Sequence, residues 1–142
     1  MGSSEVGAIS GSEWEIMRVI WTLNNVTSRQ LSEIMGQKCD WSTSTVKTLL
    51  SRLVKKRMLA TKQEGRQFIY HPLVTEIAAM SQTSLALFQR MCAMKVGKAI
   101  LADLKELTLS KSDIDSLSNL LQEKRKTAPD EVPCNCLPHK HC

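Results

Sequence analysis

The sequence predicts a mainly α protein: three helices and a two-stranded β wing, a further helical region, and a short ligand-rich tail. Three observations carry this reading. Apolar residues recur at helical spacing in three successive segments before residue 56. Two short strand-like runs follow, joined by a glycine turn. The last nine residues then hold three of the five cysteines and two of the three histidines.

Each element has a local reason. Ser12, with Glu15 three residues on, reads as a capping box opening the first helix. Ile16, Val19, Ile20 and Leu23 fall at helical spacing with Trp14 and Trp21 nearby, and Asn24-Asn25 ends the helix. Thr27 with Gln30 opens a second helix, whose Leu31 and Ile34 face inward before Gly36 stops it. A third starts at the hydroxyl cluster Ser42-Thr43-Ser44-Thr45 and buries Val46, Leu49, Leu50, Leu53 and Val54. Strands at about Leu59 to Gln63 and Gln67 to His71 turn at Glu64-Gly65-Arg66. Over residues 1–72 this order describes a winged helix-turn-helix.

Charge gives that fold a partner. Trp41 to Tyr70 carries Lys47, Arg52, Lys55, Lys56, Arg57, Lys62 and Arg66 against Glu64 alone, a net +6 in a chain whose total is +5. Basic charge confined to one segment is the footprint of a polyanion-binding surface. In such folds the third helix enters the major groove of double-stranded DNA. Its outer face offers Thr43, Ser44, Thr45, Lys47, Thr48, Ser51 and Arg52. Lys55, Lys56 and Arg57 lie one turn further, suited to phosphate, and Arg66 sits at the hairpin tip. Thr45, Lys47, Thr48 and Arg52 are the strongest candidates for contact.

Residues 73–126 read as a helical dimerisation region. One helix runs from about Val74 to Met94, with Ile77, Met80, Leu85, Leu87, Phe88 and Met91 apolar, and Gly97 separates it from Lys98 to Leu107. Ser110, with Asp113, opens a last helix ending near Lys126, with Ile114, Leu117, Leu120 and Leu121 on one face. A domain of about seventy residues cannot bury all these stripes, so a two-fold homodimer is expected. Met80, Met91 and Met94 read as adaptable core, Cys92 as buried, Cys39 as structural and His71 as a strand-end residue.

Residues 127–142 form a linker, broken by Pro129 and Pro133, and a flexible metal-binding tail. Cys134, Cys136, His139, His141 and Cys142 are too close together in sequence to pack a core, and such thiolates and imidazoles are what Zn(II) or Cu(I) require.

Composition excludes other classes. No apolar run is long enough to span a bilayer, residues 1–10 lack a signal-peptide pattern, and Val6 breaks the myristoylation pattern. A soluble cytoplasmic protein is expected, and there an odd number of cysteines reads as ligands rather than disulfides. No phosphate-cradling glycine loop, carboxylate pair or nucleophile with a neighbouring base stands out, so the chain does not read as an enzyme.

The segments Ser12-Glu-Trp-Glu-Ile-Met-Arg-Val-Ile-Trp and Thr45-Val-Lys-Thr-Leu-Leu-Ser-Arg-Leu-Val-Lys-Lys56 resemble the opening and the recognition helix of the BlaI/MecI/CopY repressors. The tail resembles that of the CopY-type, copper-responsive branch, which ends in Cys-x-Cys-x4-Cys-x-Cys. Cys134 and Cys136 match its first pair; His141 stands at the third position and Cys142 one place before the fourth. The resemblance implies a repressor whose zinc form binds inverted repeats with TACA and TGTA half-sites. Cu(I), handed over by a copper chaperone, displaces zinc and releases the DNA, derepressing copper-export genes. For zinc, Cys134, Cys136 and Cys142 join either His139 or His141, or two tails share ligands across the dimer. A zinc or cadmium sensor on the same fold, a β-lactam-responsive repressor and a metal-sequestering protein are the competing readings.

Overall fold

A computed structural model describes residues 8–139, in two compact units, Met1–Ser84 and Leu85–Cys142.

In the first unit, α1 (Gly11–Leu23) is followed by β1 (Val26–Thr27), α2 (Ser28–Cys39), α3 (Thr43–Lys55), β2 (Leu59–Glu64) and β3 (Gln67–Pro72). The winged helix-turn-helix is therefore present, with one addition. Val26 and Thr27 pair antiparallel with Tyr70 and Ile69, so the wing supplies two strands of a three-stranded sheet of order β1-β3-β2. Two residues are too short for the alternation that marks a strand in sequence.

Caps set most helix boundaries. Thr27 and Gln30 form the reciprocal capping box on α2, and Ser42 accepts from the Thr45 amide at the start of α3. The cap of α1 is Ser10, which accepts from the Glu13 amide at 3.1 Å, and not the expected Ser12. Gly36 does not stop α2. The helix continues to Cys39 and ends on Asp40, whose φ of 57° is left-handed, a conformation that Asp tolerates. Gly65, at φ 62°, makes the hairpin turn between β2 and β3.

The core of this unit is a single apolar cluster. Ile16, Met17 and Ile20 of α1 meet Leu31 and Met35 of α2 and Val46, Leu49, Leu50 and Leu53 of α3. Val26, Met58, Leu59 and Ala79 close it, and Val54 is half-buried beside it. Trp14 and Trp21 lie with ring centroids 5.4 Å apart, and the Trp21 indole N–H donates to the Val74 carbonyl at 2.9 Å. That bond gives the polar end of a largely apolar ring its partner.

Helix α4 (Glu76–Gln89) leads into the second unit. It is shorter than the periodicity predicts, and the break falls at residues 90–92 rather than at Gly97, which lies inside α5. A short 3-10 turn (Ala93–Lys95) precedes α5 (Val96–Glu106), and α6 (Lys111–Arg125) is capped by Ser110 accepting from the Asp113 amide. No residue of α5 or α6 is buried in the single chain. Met80, Met91 and Met94 are exposed in the single chain too. Residues 126–139 continue without regular secondary structure. Among the described residues, no helix is long and apolar enough to cross a membrane.

Candidate nucleic-acid interface and cysteine cluster

One face of α3 is committed to the core, which leaves the other to solvent. Val46, Leu49, Leu50 and Leu53 are buried, while Thr43, Ser44, Thr45, Lys47, Thr48, Ser51, Arg52 and Lys55 are exposed. Two of these hydroxyls already have work inside the helix. Thr45 Oγ1 lies 3.0 Å from the capping Ser42 hydroxyl, and Thr48 Oγ1 donates to the Ser44 carbonyl at 3.0 Å. The Lys47 and Arg52 side chains have no ion pair or hydrogen bond among the described residues.

Arg66, just after the hairpin glycine, is exposed and faces the same groove as Lys47. That open groove, of about 570 Å³, is lined by Thr27, Ser28, Arg29, Lys47, Arg66, Gln67, Phe68 and Tyr70. It brings together three cations and no carboxylate. The β1–β3 pairing creates it, because it sets the start of α2 beside the wing. Arg29 was not among the residues singled out from sequence. Its signal was its position two residues after the Thr27 cap, at a helix N-terminus whose amides favour anions. Its contact with Glu33, at 3.6 Å between side chains 83% and 68% exposed, restrains it little.

A second groove between α2 and α3 is lined by Ser28, Arg29, Ser32, Glu33, Thr43 and Lys47. The Ser32 hydroxyl is buried there without a hydrogen-bond partner among the described residues. Lys56 differs from its neighbours. It is turned away from the outer face of α3 and bonded to Glu13 and to the Ala8 carbonyl. The expected phosphate contact through Lys56 is corrected accordingly.

The second unit holds a sulfur cluster. The Sγ atoms of Cys92, Cys134 and Cys136 all lie within 4.8 Å of one another, and Cys92 Sγ is 3.8 Å from Cys134 Sγ. Two backbone amides fix the approach. Ala93 N–H donates to Asn135 Oδ1 at 2.9 Å, and Cys136 N–H points at Cys134 Sγ at 3.5 Å. Cys134 is disulfide-bonded in this structure, so its sulfur becomes a metal ligand only on reduction.

The reading of Cys92 as a buried structural residue is corrected: it is half-buried and belongs to this cluster. Cys39 packs against the core of the first unit, in keeping with a structural role. His139 is exposed and outside the cluster, while His141 and Cys142 lie outside the described residues.

The cluster polarises its own thiols. Burial pushes the Cys92 thiol up, but its hydrogen bond with Cys136, the backbone of Met94 and Lys95 and the Lys95 charge together hold it below the ordinary thiol value. The same hydrogen bond, with burial and the Cys92 charge, pushes Cys136 up. The donor set suits a thiophilic ion. A Zn–S bond of roughly 2.3 Å puts tetrahedral sulfurs about 3.8 Å apart. Two or three thiolates satisfy Cu(I).

An exposed cationic helix beside a wing that carries its own arginine defines a winged-helix DNA-binding protein. The pattern described as "Penicillinase repressor" matches residues 9–123, and the chain belongs to that family. Its members are DNA-binding repressors and not enzymes.

The chain is 48% identical over 132 residues to an uncharacterized 16.5 kDa protein of the ptsI 3′ region of Latilactobacillus sakei, covering 93% of this chain and 90% of that one. It is 30% identical over 116 residues to the methicillin resistance regulatory protein MecI of Staphylococcus aureus, covering 82% and 94%. Among solved structures, the Bacillus licheniformis BlaI monomer in complex with the blaP half-operator is similar at 35% identity and a TM-score of 0.46. That match covers 50% of this chain and 87% of that one.

Proposed function

We propose that this protein is a copper-responsive transcriptional repressor. Its zinc-loaded dimer binds an inverted repeat with TACA and TGTA half-sites. Cu(I), delivered by a copper chaperone, displaces zinc at the C-terminal cysteines, and the DNA is released so that copper-export genes are expressed. The observation that carries this reading is the convergence of the tail thiols Cys134 and Cys136 within one sulfur cluster, in a chain built to hold DNA.

On the DNA side, Thr43, Ser44, Thr45, Lys47, Thr48, Ser51 and Arg52 present a mixed hydroxyl and cationic surface to the major groove, with Lys55 and Arg66 on phosphate. A homodimer is supported by the apolar side chains left exposed on α4 to α6, among them Leu85, Leu101, Leu117, Leu120 and Leu121. Two copies would cover these faces and present two recognition helices to the two half-sites.

On the metal side, Cys134, Cys136 and Cys142 are the tail ligands, joined by His139 or His141. Zinc takes four tetrahedral ligands, whereas Cu(I) is content with fewer thiolates, so one cannot replace the other without rearranging the residues that hold it. Such a rearrangement alters DNA affinity only if the two loaded forms differ in their contacts or order.

Fluorescence anisotropy of the reduced, zinc-loaded protein on a TACA/TGTA duplex, followed by anaerobic Cu(I) titration, tests the reading. Tight binding that is lost as zinc is displaced is the expected result. Binding indifferent to Cu(I) but sensitive to zinc or cadmium would transfer the sensing role to that ion.

A further inference from the structure

We infer that Cys92, from the turn between α4 and α5, is a protein ligand of the same metal site as Cys134 and Cys136. The proposal rests on the metal-binding reading of the tail and adds a donor from outside the tail. It changes what the site is: a clasp between the segment after α6 and the start of the 3-10 turn, within one compact unit.

Three contacts carry it. Cys92 Sγ is 3.8 Å from Cys134 Sγ, although the two residues are 42 apart in sequence. All three sulfurs lie within 4.8 Å of one another, so a closure of about 1 Å at most brings them to the roughly 3.8 Å spacing of sulfurs that share one zinc ion. The Asn135 carbonyl oxygen takes the Ala93 N–H at 2.9 Å, which docks the Cys134-Asn135-Cys136 segment on the turn through a bond that involves no sulfur. Position 93 is the first residue of that turn, and its amide has no partner within so short a helical segment. The asparagine between the two tail cysteines supplies one.

A thiol or phosphine reductant first supplies the two electrons, with two protons from solvent, that cleave the Cys134 disulfide to thiols; metal binding itself then needs no redox partner. Each thiol gives its proton to solvent as its sulfur–metal bond forms, and the bound ion keeps its charge. Half-burial of Cys92 and Cys134 limits water at the site, which favours thiolate coordination over hydration. With Cys92 as a ligand, the exchange of a four-coordinate ion for a three- or two-coordinate one acts directly on the junction between α4 and α5. A site made by the tail alone would have no such hold on the helical region.

The test uses the reduced full-length protein with zinc. X-ray absorption at the zinc edge counts sulfur ligands in the wild type and in Cys92→Ser, with Cys39→Ser as control. Chelator competition gives the affinities. Cys92→Ser is expected to lose one sulfur and to bind zinc more weakly by more than the roughly 10–100-fold that an outer-shell partner is worth. Cys39→Ser should match the wild type.

A second measurement needs no mutation. Zinc should protect Cys92, but not Cys39, from alkylation mapped by mass spectrometry. An unchanged sulfur count in Cys92→Ser, or alkylation of Cys92 at the apo rate in the zinc form, overturns the inference while leaving a tail-only metal site standing. A wild-type protein that binds no stoichiometric zinc or Cu(I) overturns both.

Discussion

Lys56 Nζ lies 2.7 Å from Glu13 Oε2 and 2.7 Å from the Ala8 carbonyl, clamping the end of α3 to the first turn of α1. Glu13 is only 3% exposed, and its other oxygen accepts from Lys56 at 2.9 Å and from Ser10 at 3.1 Å. The clamp ties the end of α3 to α1 and removes one cation from the exposed face of α3. Replacing Lys56 by Met would leave a buried carboxylate without its cation. The expected cost is toward the lower end of about 3–5 kcal/mol, because the Lys56 side chain is 30% exposed. Thermal melts of K56M and E13Q measure it. The salt dependence of operator binding by folded K56M should match that of the wild type, since Lys56 touches no phosphate.

Lys47, Arg66 and Arg29 should behave in the opposite way. They line one groove, and each is expected to neutralise a phosphate or reach a base edge. Replacing any one by Ala should leave the melting temperature nearly unchanged. For a phosphate contact, the slope of log affinity against log salt should fall by about 0.9 per protomer, hence by about 1.8 for a dimer on the full operator. A variant with an unaltered slope would remove that residue from the interface. For Lys47, loss of discrimination between half-sites at an unaltered slope would instead mark base contact.

Glu15 gives the fold a pH dependence of known sign. A hydrogen bond from Lys38 at 3.0 Å holds its carboxyl below the ordinary glutamate value; burial pushes the other way, and the charges of Lys38 and Arg18 add to the lowering. A depressed pKa in the folded state stabilises above the unfolded value and is lost as pH falls through the folded one. The E15Q variant should therefore melt slightly below the wild type at pH 7. That gap should close below the ordinary glutamate pKa of about 4.3. Because the pair is at the surface, raising the salt at pH 7 should shrink the same gap.

Leu120 and Leu121 are 61% and 57% exposed on α6, on a helix with no buried residue in the single chain. If a second copy covers them, the double substitution L120E/L121E should shift sedimentation from dimer to monomer. Full-operator binding should weaken much more than half-site binding, because the two half-sites would no longer share one ligand. A dimer that survives the substitution would move the interface to α4 or α5.

Much of this molecule is legible in the chain because its signals are local. Thr27 with Gln30, and Ser110 with the Asp113 amide, are contacts across three residues, and Gly65 needs only its own backbone to turn the hairpin. The stripe Val46, Leu49, Leu50 and Leu53 predicts which face of α3 is buried, and hence which residues face solvent. The concentration of soft ligands in the last nine residues likewise names a chemistry without any coordinates.

Tertiary structure decided what local pattern leaves degenerate. Ser10 with Glu13 and Ser12 with Glu15 are equally good caps by spacing; the first is used, and its Glu13 is the one buried against Lys56, 43 residues away. Strand β1 exists because Val26 and Thr27 find β3, and that pairing, not any feature of residues 26–27, brings Arg29 beside Arg66. Cys92 looked like a small buried residue until the chain returned 42 residues later to set Cys134 against it. Periodicity and capping report neighbours within a turn or two. Which distant surfaces meet is a property of packing, and at both the basic groove and the sulfur cluster packing supplied the residue that sequence missed.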